Sequence, residues 1–218
     1  MHKKLTLTTV FEDNHFIIVD KPAGLLSQGN DSNDPNCVDL MREHFGRHYV
    51  GLIHRLDRNT SGLMVIAKRS KAAARITQQL QSGRLIRDYL GWAEGTLGKP
   101  DTLTHWLKKD ERSNKTGVFN QQKPDTKKAQ LHFEPLRNSV IAGLPITLLR
   151  LRLDTGRSHQ IRAQLSRVGH PLVGDGKYGS QNPNPERLAL HSCSLEFEHP
   201  MSNEKLIFES ELPEDIDF

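Results

Sequence analysis

Ile53-His54-Arg55-Leu56-Asp57-Arg58-Asn59-Thr60-Ser61-Gly62 runs without a break into Leu63-Met64-Val65-Ile66-Ala67. The first ten residues read as a polar loop, and the next five as a compact apolar run of the kind that forms a buried strand. Asp57 sits between two arginines. Most loop aspartates cap a turn or balance a neighbouring charge. The surroundings weigh against that reading here. From His44 to Arg87 there are nine Lys or Arg residues, and Asp57 is the sole acid. A carboxylate on a surface built to attract anions works against that attraction, so it needs another role. In general, nearby positive charge favours the ionised form of a carboxylate. An ionised, desolvated Asp can attack as a nucleophile or stabilise developing positive charge.

The bias extends outward. The 218 residues carry a formal charge of +4, with 35% hydrophobic and 26% charged residues, enough for a real core and too apolar for a disordered chain. A second basic block holds Lys108, Lys109, Arg112, Lys115, Lys123, Lys127 and Lys128. A third holds Arg150, Arg152, Arg157, Arg162 and Arg167, opposed by Asp154 alone. Any single lysine is best read as solvated surface, but three acid-poor blocks together favour a polyanion-binding surface. No apolar run is long enough for a bilayer span, and Met1-His2-Lys3-Lys4 does not open a signal peptide. Cys37 and Cys193, the two cysteines, lie far apart, which argues against a disulfide scaffold or a cysteine zinc site. A soluble, cytoplasmic protein is expected, with no membrane partner.

With no repeat or long linker, one domain over residues 1–218 is the default, and so is a monomer. Strands are expected at Phe16–Val19, Leu63–Ala67, Ile146–Leu153, Leu188–Phe197 and Leu206–Phe208; Leu149, Leu151 and Leu153 alternate with Arg150 and Arg152. A helix capped by Ser70 should run to about Ser82, bury Ala73, Ile76 and Leu80, and stop at Gly83. A second should start near Ser158 with Ile161, Leu165 and Val168 as its stripe, placing His159 and Arg162 together on the face away from the core. A weaker third covers Val38 to Phe45. Strands outnumber helices without alternating with them. The expected class is α+β, with a mixed, largely antiparallel sheet flanked by helices and loops.

Some pattern matches carry no chemistry. Gly174-Asp175-Gly176-Lys177-Tyr178-Gly179 fits G-x-G-x-x-G literally, but Ser180-Gln181-Asn182-Pro183-Asn184-Pro185 follows, and no helix can open there. It reads as a glycine-rich turn. His44 and His48 have helical spacing, yet Glu43 precedes the pair, so they do not make a zincin site.

The loop around Asp57, from His54 to Gly62, resembles the signature of the RluA-type pseudouridine synthases. The resemblance covers nearly the whole chain, in the family's order. Asp20-Lys21-Pro22-Ala23-Gly24-Leu25 resembles the first motif, Arg87-Asp88-Tyr89-Leu90 the K-x-Y motif, and Thr155-Gly156-Arg157-Ser158-His159-Gln160-Ile161-Arg162 the T-G-R-x-H-Q-I-R motif. Gly169-His170-Pro171-Leu172-Val173-Gly174-Asp175 and Leu190-His191 complete the series. Gln164 stands where the family usually has histidine, and Asp88 sets a carboxylate next to the tyrosine of K-x-Y, where it could shift local pKa values. About twenty residues precede Lys21, so the S4-type domain of many relatives is expected to be absent.

The resemblance implies isomerisation of uridine to pseudouridine in ribosomal or transfer RNA, with no metal and no cofactor. It makes Asp57 the catalytic carboxylate, attacking ribose C1′ or the base, or assisting glycal formation. It makes Arg162 the arginine paired with that carboxylate, and Tyr89 the active-site tyrosine whose ring stacks and whose hydroxyl serves as base. Arg55, Arg58, Lys21, Arg157 and His159 are the expected RNA-binding residues. Arg55 either fills the space of the flipped base or contacts phosphate; Arg157 and His159 either contact phosphate or ribose or pair structurally; Lys21 is either structural or phosphate-binding. A non-catalytic RNA-binding protein on the same fold is the alternative. A hydrolase is disfavoured, because sugar-bond hydrolysis normally needs two facing carboxylates and this stretch has one.

Overall fold

The computed structural model describes residues 6–29, 34–46, 49–182 and 187–218. Arg47, His48, the chain start and Pro183-Asn184-Pro185, all used above, lie outside the described residues. The chain divides into two compact units, Met1–Arg87 with Ser192–Glu211, and Asp88–His191 with Leu212–Phe218. Composition does not mark this boundary, because it falls inside strands. Eleven strands and three α-helices among the described residues make the fold α+β, as expected.

The first unit carries β1 (Thr8–Glu12), β2 (Phe16–Lys21), α1 (Cys37–Phe45), β3 (Gly51–Leu52), β4 (Ser61–Ala67), α2 (Ser70–Gln81), the start of β5 (Ile86–Glu94) and, later in the chain, most of β10 (Leu190–Glu198) and β11 (Lys205–Glu209). The strand order is β1-β2-β4-β10, with β3 on β4 and β11 on β10. β1–β2, β2–β4, β3–β4 and β10–β11 are antiparallel. Every residue of β4 is buried, which is why it reads as a continuous apolar run and not an alternating one. Phe16, Ile18, Leu63 and Val65 pack with Ala72 and Ile76 of α2 and with Leu195 and Phe197.

The two helices here have different starts. Asn36 caps α1, accepting from the Asp39 amide at 3.0 Å, and Gly46 ends it in the left-handed region. Ser70, expected to cap α2, is instead its first helical residue. The Lys68 amide is bonded to the His15 carbonyl at 2.8 Å, and the chain stays extended through Arg69, which becomes the cap without a side-chain bond. Gly83 stops this helix at φ +73°, as its position suggests.

The second unit carries the rest of β5, then β6 (Asp101–Asp110), β7 (Lys115–Phe119), β8 (Lys127–Ile141), β9 (Leu144–Leu153) and α3 (Gln160–Arg167), in the order β5-β9-β8-β6-β7 with all four ladders antiparallel. Ala142 and Gly143, both at positive φ, form the two-residue turn between β8 and β9. Leu149 and Leu151 are buried and Arg150 and Arg152 exposed, as the alternation predicts. Most of the second basic block, read only as charge, lies on strands: Lys127 pairs with Leu107 and Lys128 with Trp106, while Arg112 and Lys123 sit between strands. The turn at Gly174 opens no α-helix; it contains a single 3-10 turn, Gly176–Tyr178.

Two departures concern α3. It starts at Gln160, because His159 takes a left-handed conformation (φ 51°) and serves as its cap. Val168, expected in the apolar stripe, is the C-cap and is exposed.

Gly62, at the start of β4, has a steric reason to be glycine. Its φ is +112°, and a Cβ there would lie 2.3 Å from the Ser192 carbonyl oxygen and 2.6 Å from the Ser192 nitrogen. Both are backbone atoms that cannot swing aside. Gly62→Ala should therefore cost at least about 3 kcal/mol in urea unfolding, several times the usual penalty for alanine at a positive φ.

Candidate active site

The loop from Ile53 to Thr60 is tied down at each inward-facing position. The Ser27 hydroxyl donates to the Leu56 carbonyl at 2.7 Å and accepts from the Leu56 amide at 3.0 Å. Val65 of β4 donates its amide to Nε2 of the buried His54 at 3.2 Å. The Lys21 ammonium, with no exposed surface, donates to the carbonyls of Pro22 (3.0 Å), Leu25 (2.9 Å) and Arg58 (3.1 Å). Gly24 and Arg58 add a reciprocal pair: the Gly24 amide reaches the Arg58 carbonyl at 2.8 Å, and Arg58 Nε reaches the Gly24 carbonyl at 3.1 Å. His54 and Leu56 thus point inward, Arg55 and Arg58 are exposed, and Asp57 is half-buried between them. The Thr60 amide closes the turn on the Asp57 carbonyl at 3.1 Å.

One expectation needs correction within this unit. Lys21 cannot contact phosphate, since its ammonium is sealed and bonded to main chain. Arg58 is exposed but engaged, with Nη1 3.0 Å from Asp34. Of the proposed RNA contacts in this loop, Arg55 is free of such constraints in its exposure.

In the second unit, Tyr89 is buried on β5, opposite Leu151. Asp88 points to the other face, because side chains alternate along a strand. Its carboxylate takes both Nε and Nη2 of Arg152, each at 2.7 Å. It is therefore a cross-strand ion pair and not a charge aimed along the tyrosine.

Arg162 does not face away from the core. Its side chain is 11% exposed, and Nε and Nη2 donate to the Asp175 carboxylate at 2.7 and 2.8 Å. Its guanidinium carbon lies 5.0 Å from the centre of the Tyr178 ring. Tyr178 is held in turn: its oxygen accepts from the Thr116 amide at 2.7 Å and lies 2.9 Å from His159 Nδ1. Burial raises the Tyr178 pKa, so the phenol stays neutral. His159 is thus a structural partner of Tyr178. Arg157 is exposed, with Nε 3.3 Å from the Lys128 carbonyl, and Gln160 pins its backbone through a 3.0 Å bond to the Arg157 amide. Asp175 and Tyr178 were missed as holders of Arg162. Both lie in the glycine-rich turn, and the signal that could have found Asp175 is its place at the end of the Gly169–Asp175 stretch that resembles a family motif. Gln164 is buried against the Leu103 carbonyl (3.1 Å) and His105 (3.0 Å), so the departure from histidine there serves packing.

The family model described as RNA pseudouridylate synthase matches residues 15–167. The chain belongs to this family of RNA isomerases. It is 35% identical, over 97% of its length, to the ribosomal large subunit pseudouridine synthase D of Nitrosomonas europaea, and 36% identical over 96% to YhcT of Bacillus subtilis, named an uncharacterized RNA pseudouridine synthase. It spans 64% and 70% of those two relatives. Human RNA pseudouridylate synthase domain containing 1 shares the fold, with a TM-score of 0.81 at 24% identity, covering 97% of this chain and 85% of that one. Among the described residues no three or more His, Cys, Asp or Glu are grouped to hold a metal ion, and no helix is long and apolar enough to cross a membrane.

Two outcomes follow for this family member's loop. Lys21→Met should lower stability by about 3 kcal/mol, because it orphans buried carbonyls, and should leave the salt dependence of RNA binding unchanged. Denaturant unfolding and a salt titration measure both. His54 is held neutral, its pKa pushed down to about 3 by burial first and by the Arg87 charge second. The folded state therefore binds fewer protons than the unfolded one between pH 3 and 6.5, and stability falls as pH drops through that window. His54→Gln keeps an acceptor for the Val65 amide and should flatten this acid slope in unfolding midpoints taken from pH 7 to 4.

Proposed function

We propose that this chain isomerises a specific uridine in RNA to pseudouridine, with Asp57 as the catalytic nucleophile. The observation that carries the reading is the Asp57 loop itself: a half-buried carboxylate between two exposed arginines, on a backbone held by Lys21, Ser27 and His54. A rigid loop is what a nucleophile needs, because attack requires near-contact geometry. In the reaction the N1–C1′ bond breaks, the uracil turns, and a C5–C1′ bond forms while C5 loses a proton and N1 gains one. The rearrangement balances without an oxidant or an energy source.

By the family resemblance, Tyr89 and Arg162 are the further catalytic residues. The Tyr89 hydroxyl serves as base for the C5 proton, and the Arg162 guanidinium supplies positive charge that keeps a carboxylate ionised. The target base must leave its stack first, at a cost of about a few kcal/mol. Arg55, exposed next to Leu56, has the planar group to brace the vacated space. The relatives named ribosomal large subunit pseudouridine synthase D support a ribosomal uridine over a transfer-RNA one.

Asp57→Asn should abolish pseudouridine formation in carbodiimide-stop mapping and leave RNA affinity equal or slightly higher, since a charge facing phosphate is removed. Turnover within about tenfold of wild type, a barrier change of only ~1.4 kcal/mol, would remove Asp57 from the chemistry. Tritium release from 5-tritiated uridine RNA separates catalysis from RNA binding alone.

A further inference from the structure

The sheet of the second unit has two unlike faces. Leu103, His105 and Leu107 of β6 are buried on the side of α3, where Gln164 reaches the His105 ring at 3.0 Å. Thr104, Trp106 and Lys108 point the other way, because side chains alternate along a strand. The solvent face of an antiparallel sheet is ordinarily polar. Here it carries an aromatic pair. Trp106 lies directly opposite Phe119 of β7 and, on its other side, directly opposite Lys128 of β8, so the three share that face. Both rings are half-buried and keep part of their surface open. Among the described residues Trp106 packs against no other ring and its side chain makes no hydrogen bond. The Phe119 ring lies over Gly117, where a Cβ would come 3.4 Å from it, and the Lys123 ammonium is 4.6 Å from its centre. Asp125, the acid between Lys123 and Lys128, is taken by Lys108 at 3.0 Å. Lys123 and Lys128 are exposed, with no carboxylate partner among the described residues.

We propose that Trp106 and Phe119 form a stacking platform for unpaired bases of the RNA, with Lys123 and Lys128 taking the phosphates beside them. This rests on the reading of the chain as acting on RNA and adds a second place of contact to it. Tyr89 is in register with Leu151, Phe133 and Asp101, which puts it on the face of the sheet opposite Trp106. The platform therefore holds RNA without touching the reaction. A single-stranded segment is the occupant that the chemistry selects. Every base has a π face to offer an open ring, and only an unpaired, unstacked base is free to use it. The charge is complementary as well, since Lys108 to Lys128 holds seven cations against three acids. A second copy docking through the same patch would bring that excess of positive charge against itself.

Trp92, the other tryptophan, has no exposed surface, so a change in tryptophan emission on binding reports Trp106. A single-stranded oligouridylate should quench that emission in the wild-type protein. Trp106→Leu should abolish the quench and weaken binding at least about fivefold. It should leave the slope of log K against log salt unchanged, because no charge is lost. Trp106→Phe should keep most of the affinity. Phe119→Leu, which leaves the tryptophan in place, should weaken binding by a similar factor and retain the quench at saturation. Replacing Lys123 and Lys128 by Gln together should instead flatten the slope by up to about 1.4, two contacts of ~0.7 each. A quench that persists in Trp106→Leu, or equal oligouridylate affinity in that variant and wild type, overturns the platform. A lowered urea midpoint with affinity unchanged does the same, by marking the pair as cross-strand packing alone. So does a dimer in sedimentation that Trp106→Leu dissolves, which marks a self-association surface. Carbodiimide mapping with the wild-type protein runs in parallel: a quench with no pseudouridine formed leaves the platform standing and removes the isomerase reading, and pseudouridine formed without a quench does the reverse.

Discussion

A lysine ammonium without exposed surface is an expensive thing to fold around, and the first unit is arranged to satisfy it. Lys21 ends β2 and reaches three carbonyls, two in the turn that follows it and one, that of Arg58, across 37 positions of sequence. Three charge-assisted bonds compensate an ion that water would otherwise hold. Their geometric effect is to lock the Asp20–Leu25 turn to the loop that carries Asp57. Ser27 repeats the arrangement with one hydroxyl that both gives to and takes from Leu56. Gly62 then lets β4 start against the Ser192 backbone, a packing no side chain would permit.

The alternation that results is what makes the loop chemically useful. His54 and Leu56 go inward as anchors, so Arg55 and Asp57 must turn outward. The carboxylate is presented by a backbone that Lys21, Ser27 and the Gly24 amide hold at Leu56 and Arg58, on either side of it. Nearby, His54 is stripped of its charge by burial, so it adds no competing cation to the loop and serves as a hydrogen-bonding strut.

The second unit solves a similar problem for a guanidinium. Arg162 is gripped edge-on by Asp175 and lies over the ring of Tyr178, whose oxygen is fixed by Thr116 and faces His159. His159 serves it through its left-handed backbone, which starts α3 late and turns the imidazole toward Tyr178. Asp88 and Arg152 form a separate pair on β5 and β9, so their charges are mutually neutralised across the strands.

Periodicity and motif order in the sequence determined the class, the three helices to within a residue or two, and the buried strands, because continuous apolar runs and 3.6-residue stripes are local signals. The Asp57 loop was legible too, as the one acid in a long basic stretch. The strands β6 to β8 were not, since Lys-rich alternating segments look like charged surface until a partner strand pairs with them. Side-chain assignments within the motifs also waited for the tertiary structure. Lys21 as a carbonyl clamp, Arg162 as a partner of Asp175, and His54 as an acceptor for the Val65 amide all depend on burial and on contacts between residues apart in sequence. A residue's type sets which bonds it can make, but only its packed neighbours decide which of them are left to make.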